Sequence, residues 1–312
     1  MAYRSKADNL ELTVVMDNYV DVILKDEDPV KRWGVKSALS SPRQLIAEHG
    51  LSLLVEVSKG ELKRKVLMDF GYTEEGVLRN LELLGVNLKS IDMLFLSHGH
   101  RDHYAALINV LKSIGRPIPV YVHPDAFNER LFTFPDGDTI GPWQLKPKDI
   151  EEAGGVVVAS KNPIPLAPGL FTSGEVKRLT DFEKPMEVSK RVKDGLYEDD
   201  PILDDQALIV NLEGKGLVVI AGCAHAGIIN TIRHAMEITG ENKLYAVVGG
   251  FHLSGAEASI LDKTLEELRK LSPELIMPMH CTGFQATLKI ALAMPKAFKL
   301  SSVGTKLVLK GG

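Results

Sequence analysis

The densest chemistry in this 312-residue chain lies in six consecutive residues, His98-Gly99-His100-Arg101-Asp102-His103, with Ser97 just before them. His98 and His100 stand two apart, so in an extended or turning loop both point the same way. Asp102 and His103 fall at the entrance of the helix that follows and can turn back towards the first pair. Neutral imidazoles with a carboxylate suit zinc, and also iron or manganese. Divided in this way, the cluster can serve two ions, His98 and His100 on one and Asp102 and His103 on the other. A paired site would clamp a bridging water and lower its pKa, giving a hydroxide nucleophile at neutral pH. The plainer alternative is a polar strand-end loop with solvated histidines, which leaves the spacing unexplained.

Three more histidines fall just beyond apolar runs: His225 after Leu217–Ala221, His252 after Leu244–Val248 and His280 after Leu275–Pro278. Strand ends followed by helices are where open α/β sheets place their sites. One histidine in such a place is commonly structural, but three beside the cluster bring six of the nine histidines into one constellation. Of the others, His234 is expected on the surface of a helix. His123, before Pro124, is expected to pack only, and His49 lies before a strand from which it can face the pocket. Both cysteines, Cys223 and Cys281, lie within two residues of a histidine of the constellation.

The elements that must carry these residues read as strands at Leu10–Met16, Leu51–Val57, Val66–Phe70 and Ile91–Leu96, the last leading straight into the cluster. Helical spacing runs over Thr73–Leu84 and over Leu107, Ile108, Leu111 and Ile114, ending at Gly85 and Gly115. Further strands are expected at Val120–His123 and Val156–Ala159, then a hairpin of Gln206–Leu212 and Leu217–Ala221. Helix and strand then alternate to a final strand at Lys306–Leu309. Hairpins followed by strand–helix alternation, occurring twice, suit two sheets packed face to face with helices outside. The expected fold class is therefore α/β, an αββα four-layer sandwich, with residues 1–312 as one domain. The stretch 126–149 shows no clear periodicity, and the charged stretch 183–201 reads as a mobile lid or insertion.

The net charge of −4 and the interleaving of Lys and Arg with Glu and Asp exclude a basic nucleic-acid footprint. No apolar run approaches the ~20 residues that span a bilayer, and the opening residues lack the apolar stretch of a signal peptide. Two cysteines give no disulfide framework. A cytoplasmic protein acting on a small molecule is expected.

The string His98-Gly99-His100-Arg101-Asp102-His103 after an apolar strand resembles the HxHxDH signature of the metallo-β-lactamase superfamily. The hairpin ending in Asp69-Phe70-Gly71 looks like that family's opening hairpin, and His280 matches its last ligand histidine. The resemblance implies a metal site of His98, His100, Asp102, His103 and His280, holding one or two zinc ions, with iron or manganese as alternatives. Two places depart from the family pattern. Pro163–Thr180 carries no histidine ligand, and the second hairpin ends Ala221-Gly222-Cys223-Ala224-His225 instead of in the bridging aspartate. Either Cys223 takes that place or His225 reaches in. His225 is the favoured ligand, with Cys223 at or beside the metal.

The strings around Cys223, Gly249-Gly250-Phe251-His252 and Met279-His280-Cys281 resemble one subgroup. Its members include an archaeal transferase of methanopterin biosynthesis and proteins known only as metal-dependent hydrolases. The first expectation is a hydrolase using a metal-bound hydroxide on a small ester or phosphorylated substrate, with Asp102 and His252 in the catalytic step and Gly249-Gly250 allowing close backbone approach. The second is a transferase joining a dihydropterin-methyl diphosphate to an aminobenzene ribofuranosyl phosphate, with Lys177, Arg178 and the 183–201 stretch near phosphate. The third is a metal-containing ligand-binding protein without turnover.

Overall fold

A computed structural model describes residues 2–312, leaving Met1 of the opening segment outside the described residues. Alternation along each strand decides which layer a side chain joins. In Asn9–Met16, Leu10, Leu12 and Val14 enter a central apolar cluster while Val15 faces an outer one. Ser52–Lys59 divides the same way, with Leu53, Val55 and Val57 central and Leu54 outward. In Gly216–Ala221, Val218 and Ile220 are central, whereas Leu217 and Val219 face a third cluster on the far side. Strands buried on both faces read as the continuous apolar runs seen in the sequence.

The two sheets that enclose the central cluster are mixed. One has eight strands in the order Val30–Lys31, Lys306–Lys310, Asn9–Met16, Ser52–Lys59, Leu62–Met68, Met93–Phe95, Ile118–Val122, Gly155–Ala159. The other has six, in the order Pro165–Ala167, Leu170–Thr172, Ala207–Leu212, Gly216–Ala221, Leu244–Gly250, Leu275–Met279. Helix Leu107–Ile114 covers the first sheet, burying Leu107, Val110, Leu111 and Ile114 along one stripe and stopping at left-handed Gly115. Helices Ile228–Thr239 and Ala258–Leu271 cover the second. The order helix, sheet, sheet, helix is the αββα sandwich expected from the sequence.

The two stretches without legible pattern meet each other. Leu196–Asp199, Ser189–Lys193, Arg130–Thr133 and Thr139–Trp143 form a four-stranded antiparallel sheet in that order, so the charged 183–201 stretch carries two strands. Most of its residues are half-buried or exposed, so no apolar alternation marks these strands. Their pairing joins residues some sixty positions apart, such as Leu131 and Lys190. The fully buried Arg130 anchors this sheet: Nε donates to Asp200 Oδ2 and Nη2 to Asp204 Oδ1, each at 2.5 Å.

Arg130→Met should leave two buried carboxylates unpaired and cost about 3–5 kcal/mol of stability in urea unfolding, with Arg130→Lys intermediate. A loss below about 1 kcal/mol would mean that water already screens these charges.

Candidate metal centre

Both sheets deliver their carboxyl ends to one edge. Strands Leu62–Met68, Met93–Phe95 and Ile118–Val122 run parallel, as do Gly216–Ala221, Leu244–Gly250 and Leu275–Met279. Beyond their ends lie Asp69, the 97–103 loop, Cys223 and His225, His252 and His280. This is the edge at which α/β sheets leave backbone unpaired and open to a ligand.

The donor atoms form two adjoining groups. In the first, His98 Nε2 is 3.0 Å from His100 Nδ1 and 3.2 Å from His225 Nε2. In the second, His280 Nε2 is 3.2 Å from both His103 Nε2 and Asp102 Oδ2, and His103 Nε2 is 3.7 Å from that oxygen. Cys223 Sγ lies between them, 3.1 Å from His103 Nε2 and within 4.8 Å of the donor atom of His98. The His252 ring lies against that of His225 with centroids 4.2 Å apart and planes inclined by 49°, and Cys223, His225 and His252 form another convergent set. The structure thus brings together His98, His100, Asp102, His103, His225, His280, Cys223 and His252, whereas Lys177 pairs with Glu237 and Arg178 donates to the carbonyls of Pro201 and Ile202, away from the donors.

His49 joins them at the rim, its ring 4.9 Å from that of His280 and Nε2 3.7 Å from Asp102 Oδ2. His234, expected at the surface, is buried, and its Nε2 donates to the carbonyl of Ser173 at 3.1 Å because that helix face packs against the 173 turn. His123 is buried too, and its Nδ1 accepts from Asp125 N.

A cation fits these donors on chemical grounds. Three unprotonated ring nitrogens meeting in the first group would repel one another, and a proton between any two satisfies only that pair. Burial, reinforced by neighbouring positive charge, pushes His98 and His225 well below the ordinary imidazole range and His100 down to about 3. Neutral imidazoles with converging lone pairs are the ligands a divalent cation takes. The far nitrogens of the second group are fixed by acceptors: His103 Nδ1 donates to Asp69 Oδ2 at 2.7 Å, and His280 Nδ1 to Asn18 Oδ1 at 3.2 Å. That leaves both Nε2 atoms facing inward. Burial opposes charge on His103, but Asp102 and Asp69 outweigh it and push this imidazole up to about 9. Burial likewise opposes ionisation of Asp102, yet His103 and His280 hold its carboxyl well below the usual range.

Four buried aspartates hold the loops from behind. Asp69 accepts from Ser97 N at 2.8 Å and from Ser97 Oγ at 2.7 Å. Asp204 accepts from Gly99 N at 2.7 Å, Asp205 from Ala226 N at 2.9 Å, and Asp17 from His280 N at 2.9 Å. Every donor-bearing loop except that of His252 is tied in this way. Backbone approach is equally tight. A β-carbon on Gly99 would strike the Ala126 carbonyl and Arg130, and one on Gly222 would strike the Ser97 side chain. Of the seven non-glycine residues with positive φ among the described residues, Asp69, Ala224, His252 and His280 lie at this edge, so backbone strain concentrates here. Asp17, Asp204 and Asp205 were not singled out from the sequence, where only the adjacent pair Asp204-Asp205 before an apolar strand offered a signal.

Above the donors is a cavity of ≈ 270 Å³, with Arg101, Asp102 and His252 on its polar side and Tyr72, Phe132 and Trp143 on its apolar side. Phe132 and Trp143 come from the small sheet.

Fold and centre define this chain as a member of the metallo-β-lactamase superfamily, whose profile matches residues 46–186. A curated relative, the 7,8-dihydropterin-6-methyl-4-(beta-D-ribofuranosyl)-aminobenzene-5'-phosphate synthase of Methanocaldococcus jannaschii, is 39% identical over 77% of this chain and 83% of its own length. An uncharacterized protein of the same organism is 31% identical over 80% of this chain and 90% of its own length. Among solved structures, a metal-dependent hydrolase of the β-lactamase superfamily has a TM-score of 0.74 at 23% identity, covering 96% of this chain and 99% of that one. At that identity the likeness is one of fold. No helix among the described residues is long and apolar enough to cross a membrane.

Burial pushes the Asp205 carboxyl up to about 7, against the pull of the Ala226 and His225 backbone. Its value in the unfolded chain is about 3.9. Between those values the native state binds the extra proton, so stability falls as pH rises. In chelator-treated protein, wild type should lose on the order of 2 kcal/mol more between pH 5 and pH 8 than Asp205→Asn does, measured by urea unfolding. Equal losses would mean that Asp205 titrates normally.

Proposed function

We propose that this protein is a metal-dependent transferase that joins a dihydropterin-methyl diphosphate to the amine of a ribofuranosylaminobenzene phosphate and releases diphosphate. The observation that carries this reading over the hydrolase is the 39% identity to the curated synthase across 83% of that protein. The likeness to the hydrolase structure, at 23% identity, concerns fold alone.

In this reading His98, His100 and His225 hold one cation and Asp102, His103 and His280 a second, with Cys223 in reach of both. Imidazole and thiol donors favour zinc, with iron or manganese as alternatives. A bound cation supplies Lewis-acid neutralisation of the diphosphate as it departs. The amine nitrogen forms a bond to the methylene carbon, the carbon–oxygen bond to diphosphate breaks with its electron pair leaving on oxygen, and the nitrogen sheds one proton. His252 lines the cavity and its buried Nδ1 has no protein partner, so its ring is the nearby group suited to accept that proton. Tyr72, Phe132 and Trp143 limit water, which would otherwise compete with the amine for the methylene carbon. The small sheet built from 126–149 and 183–201 serves in this reading as the lid.

The test is diphosphate release by zinc-loaded protein from 7,8-dihydropterin-6-methyl diphosphate, with and without the aminobenzene partner. Release only with the partner, accompanied by the joined product, is expected. Release without it would return the reading to a hydrolase, and binding without release to a ligand-binding protein. His252→Ala should lower kcat by about 10²-fold or more with metal content unchanged.

Elemental analysis tests the ligand set separately. Wild type should hold about two ions per chain, and His225→Ala about one, since the first group would keep only two of its imidazoles. Undiminished metal in His225→Ala would remove that residue from the ligand set.

A further inference from the structure

We infer that Phe132, Ile140 and Trp143 of the small sheet, with Met186 from the loop leading into Ser189–Lys193, form the subsite for the planar heteroaromatic ring of the diphosphate-bearing substrate. This rests on the transferase reading for the identity of the ring. Phe132 and Trp143 pack edge to face with centroids 4.8 Å apart and an interplanar angle of 72°. The His100 ring touches both, at 5.5 Å from Phe132 and 6.4 Å from Trp143. The apolar wall therefore begins where the donor cluster ends.

Size and connectivity decide which ring occupies it. A cavity of ≈ 270 Å³ falls at the lower edge of small-molecule sites, roughly 300–1,000 Å³, so it takes one fused ring and not both substrates. The diphosphate hangs one methylene from the pterin, so a pterin beside His100 puts that methylene at the boundary of wall and donors. The phosphate of the amine partner lies at the far end of its ribose, which needs an open path rather than this wall. The surface at the mouth agrees. Ile140 is 59% exposed and Tyr72 46% exposed, although both line the cavity. Exposed apolar side chains gathered at one cavity mouth mark a surface that a ligand covers.

The experiment uses zinc-loaded protein, with isothermal titration of unreactive 6-hydroxymethyl-7,8-dihydropterin beside steady-state kinetics. Trp143→Ala should weaken pterin binding and raise KM for the diphosphate substrate by ~30-fold, the mid-range effect of losing an aromatic stack. KM for the amine partner should be unchanged, and Trp143→Phe should restore most of the loss. Ile140→Glu, at an exposed position that folding does not depend on, should weaken the pterin in the same selective way. A normal pterin KM in an active Trp143→Ala enzyme, or an equal effect on both substrates, overturns the subsite and leaves the transferase reading intact. If wild type ignores the pterin but binds another planar heterocycle, such as a purine or an isoalloxazine, through Trp143, the subsite stands and the transferase reading falls. Binding of no planar ring by wild type overturns the subsite.

Discussion

Everything at the working edge of this protein follows from packing imidazoles, a thiol and a carboxylate together at the floor of one cavity. His98, His100, His103, His225, His280 and Cys223 are all buried. Lone pairs at 3.0–3.2 Å from one another are unfavourable without a proton or a cation between them. Left free, such loops would rotate the rings apart. The frame must therefore be stiffer than the repulsion it contains, and it is built from the backbone rather than the rings. Asp17, Asp69, Asp204 and Asp205 each accept from a main-chain N–H in or beside a donor-bearing loop. A carboxylate bonded to backbone fixes a loop without competing for the inward-facing nitrogens. Asp69 alone also orients a ring, through His103 Nδ1.

Those aspartates create an electrostatic cost of their own, and the molecule meets it unevenly. Burial opposes ionisation of Asp204, but Arg130 and the Gly99 N–H outweigh it and hold that carboxyl below its usual range. Asp205, the next residue, lacks so close a guanidinium, and burial raises it. One residue apart, the two carboxylates thus tie two different loops in opposite charge regimes. Arg130 also belongs to the small sheet that carries the aromatic cavity wall. The element that walls the cavity and the loop bearing His98 and His100 are consequently joined through one buried guanidinium.

Much of this was legible in the sequence, because local spacing carried it. The HxHxDH string places its donors within six residues. His225, His252 and His280 each follow an apolar run long enough to read as a strand. Asp69 stood out at the end of the opening hairpin, but Asp17, Asp204 and Asp205 were not legible, because their meaning depends on which N–H arrives nearby after folding. Asp17 meets His280 N across 263 positions, and Gly99 meets Asp204 across 105. The small sheet escaped notice for a related reason. Strands with much of their surface exposed need no apolar alternation, and their partners lie far along the chain. His234 shows the limit of helical pattern reading, since a histidine that donates to a buried carbonyl looks in sequence like a surface one.

Cys223 shows how this framework differs from one bridged by a carboxylate. An aspartate between two donor groups is anionic over the whole ordinary pH range. Burial, reinforced by Cys281, pushes the Cys223 thiol well above its usual range, so by itself it adds no charge to the cluster. It becomes anionic only when a cation displaces its proton. Burial opposes ionisation of its neighbour Cys281 as well, but contacts with Cys223 and His252 outweigh it, so the negative charge of this thiol pair falls on Cys281. Asp102 and His103 follow the same logic, since a cation that displaces the His103 proton inherits a carboxylate already ionised. Charge at this edge would therefore change with occupancy, since Cys223 and His103 would each give up a proton to a bound cation.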